Sequence, residues 1–210
     1  MDLQREIMSR GGNDVGEIKK SRMVDVPLLV NMRRTINQVN RELESYLDMD
    51  KNFQEDIIDL DEMLSQVICD LNSFIELCIK FRLMQEHWAF IFDDINNASE
   101  DMLESGDFYS VTLVKGVKRL KNLCDNSISL DECLKLNKLR NKVQHFTLTP
   151  EPLTNVLTIL SSAMIQTSDF VVSHVLPYID IKDAITEFTS IYTELKSNGN
   201  ELKRISMLHA

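Results

Sequence analysis

The chain has 210 residues, 43% of them hydrophobic, enough to bury one sizeable core and to form one domain or one plus an appendage. Only six Gly and four Pro punctuate it, which favours long helices over a sheet needing many turns. A net charge of −10 argues against a broad basic surface for holding nucleic acid, and the lack of an apolar run near the N-terminus or of about 20 consecutive apolar residues points to a soluble, non-exported, cytoplasmic protein.

In chain order, residues 1–26 are polar, carry Gly11, Gly12 and Gly16, and read as a flexible N-terminal arm. From Pro27, which suits a first helical turn, Leu28, Leu29, Met32, Ile36, Val39, Leu43, Tyr46 and Leu47 recur at helical spacing. Between Phe53 and Phe92 the apolar positions continue from Ile57 to Trp88 without Gly or Pro, so one long helix, undivided or split in two, is expected. An acidic excursion marked by Asn96, Asn97 and Gly106 follows. Thr112 can then cap a basic amphipathic helix with Leu113, Val114, Val117, Leu120 and Leu123 on its apolar side.

Ser129 with Glu132 forms a potential capping box, so the next helix should start at Leu130, run through Phe146 and stop before Pro150 and Pro152. Leu153 to Val175 and Ile179 to Leu195 complete the helices, and Asn198-Gly199 opens a polar tail over residues 198–210. The expected fold is therefore all-α, an up-and-down helical bundle over residues 27–197. Cys69, Cys78, Cys124 and Cys133 lie in apolar helical segments without metal-ligand spacing, and read as reduced packing residues; no metal or cofactor is expected.

Charge is unevenly distributed. From Val114 to Lys142 eight basic residues face three acidic ones, a surplus of five that leaves −15 for the rest of the chain. Lys115, Lys118, Arg119, Lys138 and Lys142 in this island, with Gln144, are candidate RNA contacts; solvated helix faces are the competing account. On a helical wheel with Leu136 at zero, Leu139, Val143 and Phe146 complete an apolar stripe, whereas Asn141 and His145 point away from it beside Leu130 and Leu134. A mixed face opposite a core stripe suggests a second contact surface, most simply with another copy of the chain.

The run Leu136-Asn137-Lys138-Leu139-Arg140-Asn141-Lys142-Val143-Gln144-His145-Phe146 resembles the Arg-x4-6-His signature of HEPN domains, in the form where Asn follows Arg. The resemblance covers roughly Phe53 to Val175. The same spacing recurs at Arg82 with His87 and at Arg204 with His209, and the following Asn, the Leu-rich run and the preceding basic helix single out Arg140.

The resemblance implies a metal-independent endoribonuclease whose two protomers bring their motifs to one cleft at a homodimer interface, in a toxin–antitoxin, abortive-infection or antiviral defence setting. His145 would carry protons, Arg140 would grip phosphate and Asn141 would orient it, giving a 2′,3′-cyclic phosphate. Glu76 and Lys80 would be polar groups of the cleft; as an i,i+4 pair they also read as a helix-surface ion pair. RNA, a second copy and an antitoxin or other defence-system protein are the implied partners, with no membrane. HEPN toxins silenced by a partner nucleotidyltransferase carry Tyr two residues after the His; Thr147 stands there, so that partner is not expected. The alternative is a catalytically inactive HEPN-like dimerisation or nucleic-acid-binding module of a larger assembly, favoured by the acidity, and a third is a helical scaffold with an accidental motif.

Overall fold

The structure, a computed structural model, describes residues 14–50, 57–145 and 152–208, with side chains over 27–48, 61–144 and 152–208. Seven α-helices account for most of the described residues: α1 (Asp14–Asp50), α2 (Ile57–Glu86), α3 (Glu100–Ser105), α4 (Leu113–Leu123), α5 (Asp131–His145), α6 (Leu153–Phe170) and α7 (Lys182–Leu208). Among the described residues there is no strand beyond one isolated bridge between Phe92 and Ser110, so the fold is all-α as expected.

Five helices form a closed ring of packed neighbours, α1 on α2, α2 on α5, α5 on α6, α6 on α7 and α7 back on α1, and α4 docks on the outside of α2. The apolar periodicity supplies the centre: Met32, Ile36, Val39 and Leu43 of α1, Leu64, Ile68 and Leu71 of α2, Leu136 of α5 and Leu160 of α6 are fully buried. Each such side chain is worth about 1.5–3 kcal/mol relative to exposure. Gly116 lets α4 come close to α2, since a Cβ there would stand 2.6 Å from Cγ2 of Ile79.

The chain departs from the sequence expectation at both ends. Helix α1 starts at Asp14, so the second half of the expected arm has a helical backbone and Pro27 lies inside the helix; residues 1–13 lie outside the described residues. The reading of 198–210 as a polar tail is corrected, because α7 runs through Asn198-Gly199 to Leu208 and buries Leu202 and Ile205. Gly199 serves packing: its missing Cβ would lie 3.1 Å from Cβ of Met164 and 3.3 Å from both Cγ1 of Ile165 and the Ser161 carbonyl oxygen. Ser206 ties the same end to α6, meeting the Thr158 hydroxyl at 2.6 Å and donating to the Thr154 carbonyl at 3.1 Å.

Helix α2 stops at Glu86, short of the expected Phe92, and His87 Nδ1 accepts from the Ala89 amide to start a 3-10 turn over Trp88–Ile91. Thr112 caps α4 as anticipated, its hydroxyl accepting from the Lys115 amide at 3.4 Å. The Ser129–Glu132 capping box does not form. Ser129 donates to Asp131 instead, and the amides of Glu132 and Cys133 donate to Oε1 of Gln166 on α6, at 2.9 and 3.2 Å. Helix α6 ends in a π-helical turn, Val171–Val175, and a 3-10 turn, Leu176–Tyr178. By length and composition Leu153–Tyr178 is the one described segment that could cross a membrane, yet more than half of its most apolar window is buried inside the bundle.

Candidate nucleic-acid interface

Helix α5 positions the motif. Its N-terminal end is capped by Gln166 of α6, and Cys133, Leu136 and Leu139 hold it in the core with Val143 packed against them, so only the side of the last two turns that carries Asn141, Lys142 and Gln144 reaches the surface. Fifteen residues give it a length of about 22 Å.

On those turns Arg140 is half-buried and Asn141 exposed, with Arg140 Nη1 donating to Asn141 Oδ1 at 3.2 Å. Arg140 Nε is buried without a hydrogen-bond partner. The guanidinium lies within electrostatic reach of Cys69 on α2: burial pushes the Cys69 thiol up, and the Arg140 charge opposes that rise. His145 is the last residue of α5, and its side chain, like Phe146 and Thr147, lies outside the described residues. Lys138, Lys142 and Gln144 are exposed around the pair. An arginine whose terminal nitrogen is held by a neutral amide, and not by a carboxylate, keeps its charge for an incoming phosphate oxygen.

The rest of the predicted site is distributed differently. Lys80 and Glu76 form an ion pair at 3.8 Å, and Glu76 also accepts from Nδ2 of Asn72 at 3.0 Å. Glu76 is seven residues beyond Cys69, about 10 Å further along α2. Asn72 is fully buried with its Oδ1 unpartnered, and it escaped the sequence reading; an Asn four residues before Glu76, inside an apolar run, was the available signal.

Much of the basic island is engaged within the chain. Arg119 donates to the backbone carbonyls of Phe90 at 2.8 Å, of Asp93 at 2.7 Å and of Phe92, which pins the 3-10 segment to α4 and commits three of its five N–H donors within the chain. Lys115 pairs with Asp93 at 2.6 Å, Lys121 reaches Asp131 at 4.0 Å and Lys135 pairs with Glu132 at 2.8 Å. Lys118 is exposed.

The expected second apolar face of α5 also needs correction. Leu130 is fully buried within the chain and Leu134 packs partly against its core, because α5 is flanked by α2 on one side and α6 on the other and so has two inward sides. The other two motif-spaced pairs have structural occupations. Arg82 is 4% exposed, ion-paired to Glu86 at 2.6 Å and stacked 4.0 Å from the centre of the Tyr178 ring. Arg204 pairs with Glu201 on α7 at 2.6 Å, and His209 lies outside the described residues.

The four cysteines are free, and no cluster of three or more metal-ligating side chains occurs among the described residues. Burial raises the thiols of Cys78, well above the ordinary range, and of Cys133, to about 12. No protein-family model, no curated protein and no solved structure matches this chain.

Proposed function

We propose that the chain is a metal-independent endoribonuclease of HEPN type, acting as a homodimer in the cytoplasm within a toxin, abortive-infection or other defence system. The observation that carries the reading is the hydrogen-bonded pair of half-buried Arg140 and exposed Asn141 on the final turns of a helix whose other end is locked into the core, in the sequence context Arg-Asn-x3-His. Arg140 supplies a permanent charge and several donors to the phosphorane, Asn141 orients the guanidinium or the scissile phosphate, and His145 transfers protons near neutrality. Two copies supply the two imidazoles that general acid and general base require. The burial of Leu130 removes exposed leucine as a reason for dimerisation, so the dimer rests on the chemistry's need for a second His.

The second reading is a HEPN-like module that docks nucleic acid or a protein without turnover. It draws on the net charge of −10 and on the intramolecular pairing of Lys115, Arg119, Lys121 and Lys135.

Purified protein incubated with total RNA in EDTA separates the two. Wild type should release fragments ending in 2′,3′-cyclic phosphate; Arg140→Ala and His145→Ala should each lose about a hundredfold or more in rate, and Arg204→Ala should retain activity. RNA left intact by wild type, with or without added metal, would hand the assignment to the docking module.

A further inference from the structure

Where the segment after α2 meets α4, the surface changes sign. Residues 93–107 include six acidic side chains, Asp93, Asp94, Glu100, Asp101, Glu104 and Asp107, and no basic one, whereas α4 carries Lys115, Lys118, Arg119 and Lys121 and no acidic one. The two regions are joined by the ion pair of Asp93 with Lys115 at 2.6 Å. Much of the remaining charge is left open. Asp101, Glu104 and Asp107 on one side and Lys118 on the other are exposed and enter no ion pair among the described residues, and Arg119 donates to neutral carbonyls. Around the Asp93–Lys115 pair the surface is apolar. Tyr109, whose carbonyl accepts from the Asp93 amide at 2.8 Å, is 91% exposed; Ile95, two residues beyond Asp93, and Val114, next to Lys115, are exposed as well. The backbone that presents Tyr109 is fixed on both sides, by Phe108 stacked on Phe92 with 4.1 Å between ring centres and by the Val111 amide donating to the Ile91 carbonyl at 2.7 Å. Helix α3, which carries Asp101 and Glu104, is closed at both ends, by Ser99 accepting from the Met102 amide at 3.3 Å and by Gly106 in the left-handed region at φ 73°. An aromatic ring held in water on an ordered backbone gives up burial energy in the free chain and loses little conformational freedom when it docks.

We propose that this face is a self-association surface on which a second copy of the chain docks, the acidic segment of each protomer lying against α4 of its partner with Tyr109 near the middle. A two-fold interface applies one patch to itself, and a patch with opposite charges on its two sides is complementary to its own rotated image when the axis runs between them. Tyr109, Ile95 and Val114 then form the dry centre, and Asp101, Glu104 and Lys118 the polar rim. The net charge of −10 on each copy does not prevent the contact, since exposed charges more than about 8 Å apart are largely screened at physiological salt while the facing ones are not. A nucleic acid in the same place would bring its phosphates beside six carboxylates, so the face suits a protein surface that carries both signs.

The homodimer that the ribonuclease reading requires gains a docking face here, but self-association through it is measurable without RNA. The test is sedimentation of the full-length chain across the micromolar range, wild type against variants at exposed positions whose urea midpoints match it. Wild type should dimerise. Tyr109→Ala should weaken the dimer by about tenfold or more, and Tyr109→Phe should keep most of the affinity. Lys118→Glu, and Asp101→Lys combined with Glu104→Lys, should each weaken self-association by at least as much, because each sets like charges face to face. Mixing those two variants should restore a dimer: the altered charges then oppose one another at one end and the native charges at the other. A wild type that stays monomeric, a dimer indifferent to Tyr109→Ala and Lys118→Glu, or a mixture that fails to pair overturns the surface. A dimer that ignores these variants while its RNA cleavage needs Arg140 overturns the surface alone. Self-association that follows them in a protein that cuts no RNA upholds the surface and removes the ribonuclease.

Discussion

Replacing Gln166 by Ala should loosen the helix that carries the candidate site, although the substitution is 26 residues beyond Arg140 in sequence and at the opposite end of α5. Gln166 Oε1 is the acceptor for two first-turn amides of α5, from Glu132 at 2.9 Å and Cys133 at 3.2 Å. First-turn N–H groups have no partner inside their own helix, and loss of a capping acceptor costs about 0.5–2 kcal/mol. Here both bonds are part-buried and water replaces them imperfectly, so the upper half of that range, about 1–2 kcal/mol, is expected. For a chain of this length each kcal/mol lowers Tm by roughly 2–4 °C, giving a drop of about 2–8 °C. Urea titration followed by circular dichroism measures the same loss as a lower midpoint at an unchanged slope. Gln166→Glu keeps an acceptor, and one whose charge suits a helix N-terminus, so it should recover most of the stability despite the nearby Asp131 and Glu132. Gln166→Ala melting within about 1 °C of wild type would refute the cross-helix cap.

Gly116→Ala should cost about 1–3 kcal/mol by the same urea assay, because its Cβ would meet Ile79 Cγ2 at 2.6 Å, and it should cost less in an Ile79→Leu background, which lacks the Cγ2 methyl. In the folded protein a thiol reagent should modify the half-exposed Cys69 and Cys124 and spare Cys78 and Cys133, all four reacting in denaturant; rapid native labelling of Cys133 would contradict its burial. Burial, reinforced by the Arg82 charge and opposed by Asp125, lowers the His174 imidazole below its ordinary value. The native state therefore favours neutral His174: the stability this contributes is complete above the unfolded value near 6.5 and is lost as pH falls through the folded value. The urea midpoint of His174→Gln should accordingly fall less than that of wild type between about pH 7 and pH 5, and equal slopes would count against the assignment.

The all-α class was legible because α1, α2, α4 and α6 carry apolar residues at helical spacing that ended up buried at Ile36, Leu71, Leu120 and Leu160. Local chemistry was legible where the partner is near in sequence, as with Thr112 and the Lys115 amide three residues on. It failed where the partner is distant. Ser129 had the spacing of a capping box, but an acceptor 34 residues beyond Glu132 took the amides. Gly199 followed Asn198 in the pattern of a helix end, and only the approach of α6 to within 3.1 Å of the absent Cβ reveals why glycine stands mid-helix. Leu130 and Leu134 read as a second face because a wheel has one inside, whereas a helix flanked by two neighbours has two. At the candidate site, Asn141 is exposed off the core stripe as the wheel placed it, and a polar groove between α1 and α2 was invisible because its lining comes from two helices, neither of which carries a motif.

Arg119 shows how a count of basic residues can mislead about contacts while remaining right about fields. Its guanidinium donates to three carbonyl oxygens, which are dipoles and not anions, so three of its five N–H bonds are committed inside the chain by contacts that do not cancel its unit charge. Lys115 is the converse, an exposed ammonium whose charge Asp93 cancels at 2.6 Å. A polyanion approaching α4 from beyond contact would thus feel Arg119, most of whose donors are spent inside the chain, more strongly than Lys115, which it could touch. Over distances comparable to the Debye length of about 8 Å at physiological salt, the arginine's charge can speed encounter without holding the complex together. On this surface attraction and attachment are assigned to different residues, and the rate of arrival and the lifetime of the bound state can change independently.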